Sequence, residues 1–409
     1  MVSDVYFPRI NGVSTSILTF SRELANTDHE VTLIAPDYPG ATAQREVIRI
    51  ASRRVPLDPE DRVMRLNGIR RQAETLRRRK FDIVHVQTPF VAHYAGVALA
   101  RRLGLPVVET YHTYFEEYLY NYVSFVPRQA LRFAARHFSA RQCNSVDGLI
   151  APSKAMLDVL RGYGVRQRAE VIPTGIELMR FAHGDGAAFR ARHGIAPERP
   201  VLVHVGRIAH EKNIDFLLAA TGRVRQTVPD VLLVIAGEGP ALRHLRRLAD
   251  SLGVRNNVLF TGYLDRESTL LDCYSAGDAF IFASRTETQG LVLLEAMALG
   301  VPVVSTAVMG TCEVLGDAAG ALVADDDLED FAGKTVTILT NPALRARLSS
   351  EARRCSRGWS AEARSTQLVE FYREICERHA RDTGRTPNGE RGAAARTSSA
   401  AESRPQRGA

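Results

Sequence analysis

Cysteine and tryptophan are scarce in this chain, with five of the former and one of the latter in 409 residues. The cysteines (Cys143, Cys273, Cys312, Cys355, Cys376) are scattered, with no CxxC and no pairing pattern. That excludes a disulfide framework, argues against a structural zinc site and suits a reducing cytoplasm. Long apolar runs are lacking too. The longest, residues 291–304, is interrupted by Glu295 and by Gly300-Val301-Pro302, well short of the ~20 apolar residues that span a bilayer. The first residues show no basic stretch, apolar core and cleavage site in succession, so a secretory leader is not expected.

What the chain has is the profile of a water-soluble globular protein, 45% hydrophobic and 24% charged. Its length admits two domains, each with its own core. The net charge is +7. Residues 380–409 carry six Arg against Asp382, Glu390 and Glu402, so +3 belongs to that stretch. Its Gly, Ala, Ser, Thr, Arg and Pro follow no period, and it is expected to be disordered. A second basic concentration, residues 62–80, ends in Arg77-Arg78-Arg79-Lys80. Basic surfaces attract nucleic acid, anionic membranes or anionic substrates, and charge alone does not choose among them.

Short β-branched runs at 31–35, 82–86, 106–110 and 147–151 read as strands buried on both faces of a parallel sheet. Helical patterns separate them, at 69–79 and at 154–163 behind the N-cap Ser153. The alternation then repeats, with strands at 201–205, 231–236, 257–260, 279–283 and 302–305 and a helix at 240–252. Two successive β/α arrays predict an α/β protein of two doubly wound, Rossmann-like domains facing a cleft. The expected division is 1–175, 176–358, a C-terminal helix over 359–379, and the tail. Residues 1–7 are all that is left for the opening strand before the loop 8–13.

Two constellations carry chemistry. In Thr286–Gly300 (TETQGLVLLEAMALG), a strand runs into a polar turn and Gly290 opens a helix that Gly300 closes. A helix N-terminus at the carboxyl end of a parallel strand is a seat for a diphosphate. Glu287 and Glu295 then stand about a phosphate's span apart, at ~1.5 Å rise per residue. One could address a sugar and the other a ribose. Taken alone, the spacing fits an amphipathic helix with two surface glutamates equally well. The second constellation, Gly206-Arg207-Ile208-Ala209-His210-Glu211-Lys212-Asn213, follows the strand 201–205. There Arg207 and Lys212 could neutralise a departing diphosphate; a solvated loop is the plainer alternative. Together in one array, the two favour a nucleotide-sugar site.

These motifs make the chain resemble the large retaining glycosyltransferase family of GT-B fold called family 4 (group 1). The likeness runs from Phe7-Pro8-Arg9-Ile10-Asn11-Gly12-Val13 to Trp359 and the last helix. It implies that Arg207 and Lys212 bind the donor diphosphate, Glu287 the transferred sugar and Glu295 the ribose. It implies backbone N–H contacts from Gln289, Gly290 and Leu291, and close approach of Gly12 to the phosphates. Gly237, in Gly237-Glu238-Gly239-Pro240, matches the family's glycine turn. That turn is not G-x-G-x-x-G, so no dinucleotide cofactor is implied. His112, in Glu109-Thr110-Tyr111-His112-Thr113-Tyr114-Phe115-Glu116, would lie near the reaction centre, although a lone His after a strand is more often structural. No metal is expected, since the two cations would replace it.

The same stretches resemble the glycolipid-forming branch, which includes diacylglycerol glucosyltransferases and phosphatidylinositol mannosyltransferases. A lipid acceptor is therefore expected, at an anionic membrane surface on the cytoplasmic side. Residues 125–142, read as a helix, put Arg128, Arg132 and Arg136 on one stripe and Leu131, Ala134, Ala135 and Phe138 on another face. A basic amphipathic helix can rest on anionic lipid; an ordinary surface helix remains the alternative. So do a polysaccharide or small-molecule acceptor and a sugar-nucleotide epimerase of the same fold. Nucleic acid is not an expected partner, because the Arg clusters lack interleaved aromatics.

Overall fold

A computed structural model of the chain describes residues 1–54, 62–114, 127–316 and 320–384. Its first half holds β1 (Leu33–Pro36), β2 (Val47–Ile50), β3 (Ser52–Arg54), β4 (Arg62–Met64), β5 (Val84–Val86), β6 (Val107–Thr110), β7 (Gly148–Ala151) and β8 (Ala169–Val171). The β1–β2 pair and the β5–β6–β7–β8 sheet are parallel, and Val2 joins them by single bridges to Ile34 and Val86. The expected opening strand over 1–7 thus shrinks to one bridging residue. Beyond Ser3, the Asp4 N–H donates to Thr88 Oγ1 at 2.6 Å, and the chain leaves the sheet. The antiparallel hairpin β3–β4 stands apart. Behind the loop, Asn11 accepts a hydrogen bond from the Ser14 N–H at 2.8 Å and starts helix Gly12–Asn26, which buries Ile17, Phe20 and Leu24.

The second half holds β9 (Val201–Val205), β10 (Leu232–Ala236), β11 (Val258–Gly262), β12 (Ala279–Phe282), β13 (Val303–Ser305) and β14 (Ala321–Val323). They form one parallel sheet in the order β11-β10-β9-β12-β13-β14. Every residue of β9, β10 and β12 is buried, as helices on both faces require. The order reverses between β9 and β12, so the crevice beyond the carboxyl ends of these two strands is where a ligand should sit. The nine expected strands lie within two residues of those found. The expected helices appear as Leu66–Arg77, Lys154–Gly162 and Leu242–Ser251, with Ser153 Oγ capping the second.

The chain crosses between the halves twice, side by side. Ile176 N–H donates to Trp359 O at 2.7 Å, and Ala361 N–H donates to Ile176 O at 3.0 Å. Gly175 permits this crossing: a Cβ there would lie 2.4 Å from Ala361 Cα. Helix Ala361–Thr383 then returns to the first half, where Leu368, Phe371 and Ile375 pack with Phe20, Leu24, Val108 and Ile150. It continues past residue 379, so the expected disordered tail begins too early; residues 385–409 lie outside the described ones.

Candidate active site

The loop after β9 carries Arg207 and Lys212. Asn213 takes the left-handed conformation (φ 54°), and its Nδ2 donates to Ala283 O at 3.1 Å. That contact fastens the loop to the end of β12, across the switch point. The Lys212 ammonium forms an ion pair with Glu287, and Arg207 Nη1 lies 3.9 Å from Glu211 Oε1. Gly237 (φ 139°) serves this loop from behind, because a Cβ there would sit 1.9 Å from Gly206 O. Its absent side chain lets the loop after β10 press against the Arg207 loop. This is a packing role.

The turn after β12 leads into helix Leu291–Ala298, with Gly290 at its N-cap (φ 92°). A Cβ at Gly290 would meet Thr311 Cγ2 at 2.9 Å. Leu293, Leu294 and Met297 are fully buried, each contributing about 1.5–3 kcal/mol to holding this helix in place. Its first N–H groups, which have no partners within the helix, open at the turn. Glu295 is only 4% exposed. Its Oε1 accepts from Arg266 Nη2 at 2.5 Å, and its Oε2 accepts from the Tyr274 hydroxyl at 2.7 Å. Burial and the adjacent carboxylate push the Tyr274 phenol well above its usual range, so it stays a donor. Arg266 and Tyr274 went unseen in the sequence. The Gln289 side chain faces away from the switch point, toward the interdomain linker, where both of its polar atoms bond to Thr174. Only its backbone is left for the expected donor contact.

From the other half, the His112 carbonyl accepts from Thr288 Oγ1 at 3.2 Å, so this histidine and the Glu287 turn meet across the cleft. Burial lowers the His112 pKa to about 4, which keeps the ring neutral near pH 7. Its Nε2 lies 3.0 Å from Gln87 Oε1. Since that oxygen can only accept, the proton is on Nε2 and Nδ1 is the acceptor of the ring. Gly12 is the first residue of its helix, and a Cβ there would meet nothing within 4 Å. Between that helix and Glu295 lies a cavity of about 20 Å³, room for about one water. It is lined by Thr15, Thr19, Arg180, Arg266, Leu291 and Glu295. A larger depression of about 460 Å³ is bordered by Asp185, Glu267 and Asp272, an acidic set unsuited to a diphosphate.

The basic helix is present as Arg128–Cys143, but its packing face is not the expected one. Ala135, Ser139, Gln142 and Cys143 are buried, while Ala134 and Phe138 are exposed and Leu131 is half-buried. Small side chains let the helix lie close to its domain, which turns the larger apolar groups outward. Phe133 is 71% exposed. Arg132 and Arg136 are exposed, the latter with its guanidinium 5.6 Å from the Tyr163 ring centre. The Arg128 side chain and residues 115–126, including Phe115 and Glu116, lie outside the described ones. In the other basic stretch, Ile69 and Leu76 anchor helix Leu66–Arg77 and leave its arginines exposed. Among the described residues no helix is long and apolar enough to cross a membrane, and no group of three His, Cys, Asp or Glu could hold a metal ion.

Comparison with known proteins agrees with this geometry. The family model for group 1 glycosyl transferases matches residues 185–355, and that for glycosyltransferase family 4 matches residues 10–180. The alpha-monoglucosyldiacylglycerol synthase of Streptococcus pneumoniae is 35% identical over 316 residues, covering 75% of this chain and 70% of that protein. A GDP-mannose-dependent alpha-mannosyltransferase of Mycobacterium tuberculosis is 29% identical over 367 residues, covering 88% of this chain and 92% of that protein. Among solved structures, sucrose-phosphate synthase from Thermosynechococcus elongatus superposes with a TM-score of 0.74 at 22% identity, covering 91% of this chain and 98% of that one. The chain is therefore a glycosyltransferase of the GT-B fold and belongs to family 4, group 1.

Proposed function

We propose that the chain moves a hexose from a nucleotide sugar of the UDP-glucose or GDP-mannose type to a hydroxyl of a membrane lipid, such as diacylglycerol or phosphatidylinositol. In this reading the product keeps the donor's α configuration and no metal takes part. One observation carries it: the Lys212–Glu287 pair, Arg207 and the N-terminus of helix Leu291–Ala298 converge beyond β9 and β12, with His112 facing them.

In the reaction the sugar C1–O bond breaks and its electron pair leaves on the diphosphate. Arg207 and Lys212 stabilise that charge, together with the helix N-terminus. The acceptor hydroxyl oxygen supplies the pair for the new C1–O bond, and its proton passes to the diphosphate or to solvent. Glu287, already beside Lys212, is placed to hold sugar hydroxyls. The neutral His112 can accept from one of them at Nδ1. Glu295 offers carboxylate oxygens to the ribose.

The name of the pneumococcal relative supports a glucosyl group on a diacylglycerol acceptor, and that of the mycobacterial relative supports a GDP-mannose donor. The outward Phe133 and the exposed arginines of helix Arg128–Cys143 also support a lipid acceptor. The test is a mass-spectrometric screen of a lipid extract with UDP-glucose, UDP-galactose and GDP-mannose, in the presence of EDTA. A hexosyl-lipid product, α-linked by proton NMR coupling, is expected. A strict divalent-ion requirement, a β linkage, or epimerised donor without transfer would each overturn the corresponding part. On vesicles, changing Arg128, Arg132 and Arg136 together to Ser should weaken binding to anionic lipid by roughly 10²-fold, at about 1 kcal/mol per arginine. A chain ending at Gly384 removes any contribution of the tail, and unchanged sedimentation of that triple variant would remove the physical support for the lipid surface.

A further inference from the structure

The Gln289 side chain makes a contact that the donor reading does not use. Its Oε1 accepts from the Thr174 N–H at 2.8 Å, and its Nε2 donates to Thr174 O at 2.6 Å. Both residues are buried, at 5% and 3% exposure. One amide thus grips both polar groups of one peptide residue, as a neighbouring strand would. Thr174 Oγ1 in turn donates to Ser16 Oγ at 2.7 Å, inside helix Gly12–Asn26. Two residues further on, Ile176 forms the paired crossing with Trp359 and Ala361. On its other side the turn is held by the Gly310 N–H, which donates to Glu287 O at 3.0 Å. A Cβ at Gly310 would lie 2.1 Å from Thr288 O.

We propose that Gln289 is a positioning residue that ties the donor turn to the hinge and, through Thr174 and Ser16, to the helix opened by Gly12. This rests on the donor reading above. The turn 287–290 carries Glu287 and leads into the helix N-terminus that would face the diphosphate. Helix Gly12–Asn26 presents the opposite wall. Gln289, Thr174 and Ser16 join the two walls through buried polar groups, and Gln289 is the link that sets their mutual distance. The donor can be bound by the second domain without this link. Transfer needs both walls in register, and a displacement of about 1 Å at a reacting centre costs on the order of 10²-fold in rate.

The test uses the full-length enzyme with Gln289→Met, which keeps the volume and removes both hydrogen bonds. Expected are a kcat lowered by roughly 10- to 100-fold and a UDP or GDP affinity, by calorimetry, within about threefold of the parent (1 kcal/mol is about a factor of five). Ser16→Ala, which does not touch Gln289, should lower kcat in the same direction. The two losses should not multiply when combined, since both open one chain of contacts. Gln289→Glu provides an independent readout should the Met variant fail to fold. Its carboxylate opposes Thr174 O at neutral pH but can donate once protonated, so its kcat relative to the parent should rise as pH falls. Parental kcat in Gln289→Met, fully multiplying losses, or a pH-independent ratio for Gln289→Glu would each overturn the proposal. Arg207→Ala separates the two failures. If Arg207→Ala is inactive while Gln289→Met is normal, only the positioning role falls. If Arg207→Ala is also normal, the donor site itself is misplaced.

Discussion

Removing Arg266 should destabilise the protein far more than removing an ordinary surface arginine, because it strips Glu295 of its partner inside the domain. The two side chains are 14% and 5% exposed. Taking one member from a buried ion pair costs about 3–5 kcal/mol, since the other charge stays desolvated. For a cooperative unit of 150–250 residues, ~1 kcal/mol moves the melting temperature by about 2–4 °C, so Arg266→Met should lower it by roughly 6–20 °C. Adding Glu295→Leu and Tyr274→Phe removes the stranded carboxylate and the phenol that served it. Apolar replacement of a buried pair is often neutral or stabilising, so the triple variant should melt well above the single one. It should nevertheless lose nucleoside diphosphate binding, because no ribose acceptor remains. Scanning calorimetry and titration of UDP or GDP read the two effects separately. A single variant melting within about 2 °C of the parent, or a triple variant no more stable than the single, refutes this account.

Arg207→Ala and Lys212→Ala should each slow turnover by roughly 10²-fold or more, as loss of a charge-stabilising contact does; parental rates in either would refute the site. Glu295→Ala should weaken binding of the free nucleoside diphosphate, while Glu287→Ala should leave it nearly intact and depress transfer. Equal effects on affinity contradict that division. The neutral, half-buried His112 makes stability pH-dependent. Its folded pKa of about 4 lies below the usual 6.5, so between those values the unfolded chain takes up a proton that the folded one refuses. Its contribution is complete above pH 6.5 and is lost, by about 1.4 kcal/mol per pH unit, as pH falls through that window. His112→Gln should flatten the urea-unfolding stability profile by that slope, and an unchanged slope would mean that the ring is not held neutral.

Much of the second array is legible in the sequence because its strands are buried on both faces, which demands unbroken runs such as Val201–Val205 and Leu232–Ala236. The hairpin β3–β4 was not legible. Ser52–Arg54 and Arg62–Met64 are short and Arg-rich, and only Met64 among them is buried, so no apolar period marks them. Helix Gly12–Asn26 does carry a signal in the sequence, the Asn11 N-cap. In the site, Lys212, Glu287 and His112 could be named because they follow strand ends, where chain direction dictates where a side chain stands, and Glu295 because of its spacing from Glu287 along the helix. Arg266 and Tyr274 come from the segment after β11 and reach Glu295 only through tertiary packing. The pairing of Gln289 with Thr174, 115 positions apart, is equally non-local. Local pattern shows that the turn exists, and only the fold shows what the turn is tied to.

The paired crossing at Ile176 and Trp359 also bears on the order of assembly during synthesis. Everything from β9 to residue 356 enters and leaves at one point and completes its sheet from its own strands. The first half cannot do the same, because Phe20, Leu24, Val108 and Ile150 await Leu368, Phe371 and Ile375 from the last described helix. Gly148 makes that wait specific: a Cβ there would lie 2.8 Å from Ile375 Cδ1, so the sheet carries a slot cut for that helix. A nascent chain that has emerged through Trp359 therefore holds one finished domain and one with an open apolar face. The domain begun first is closed last.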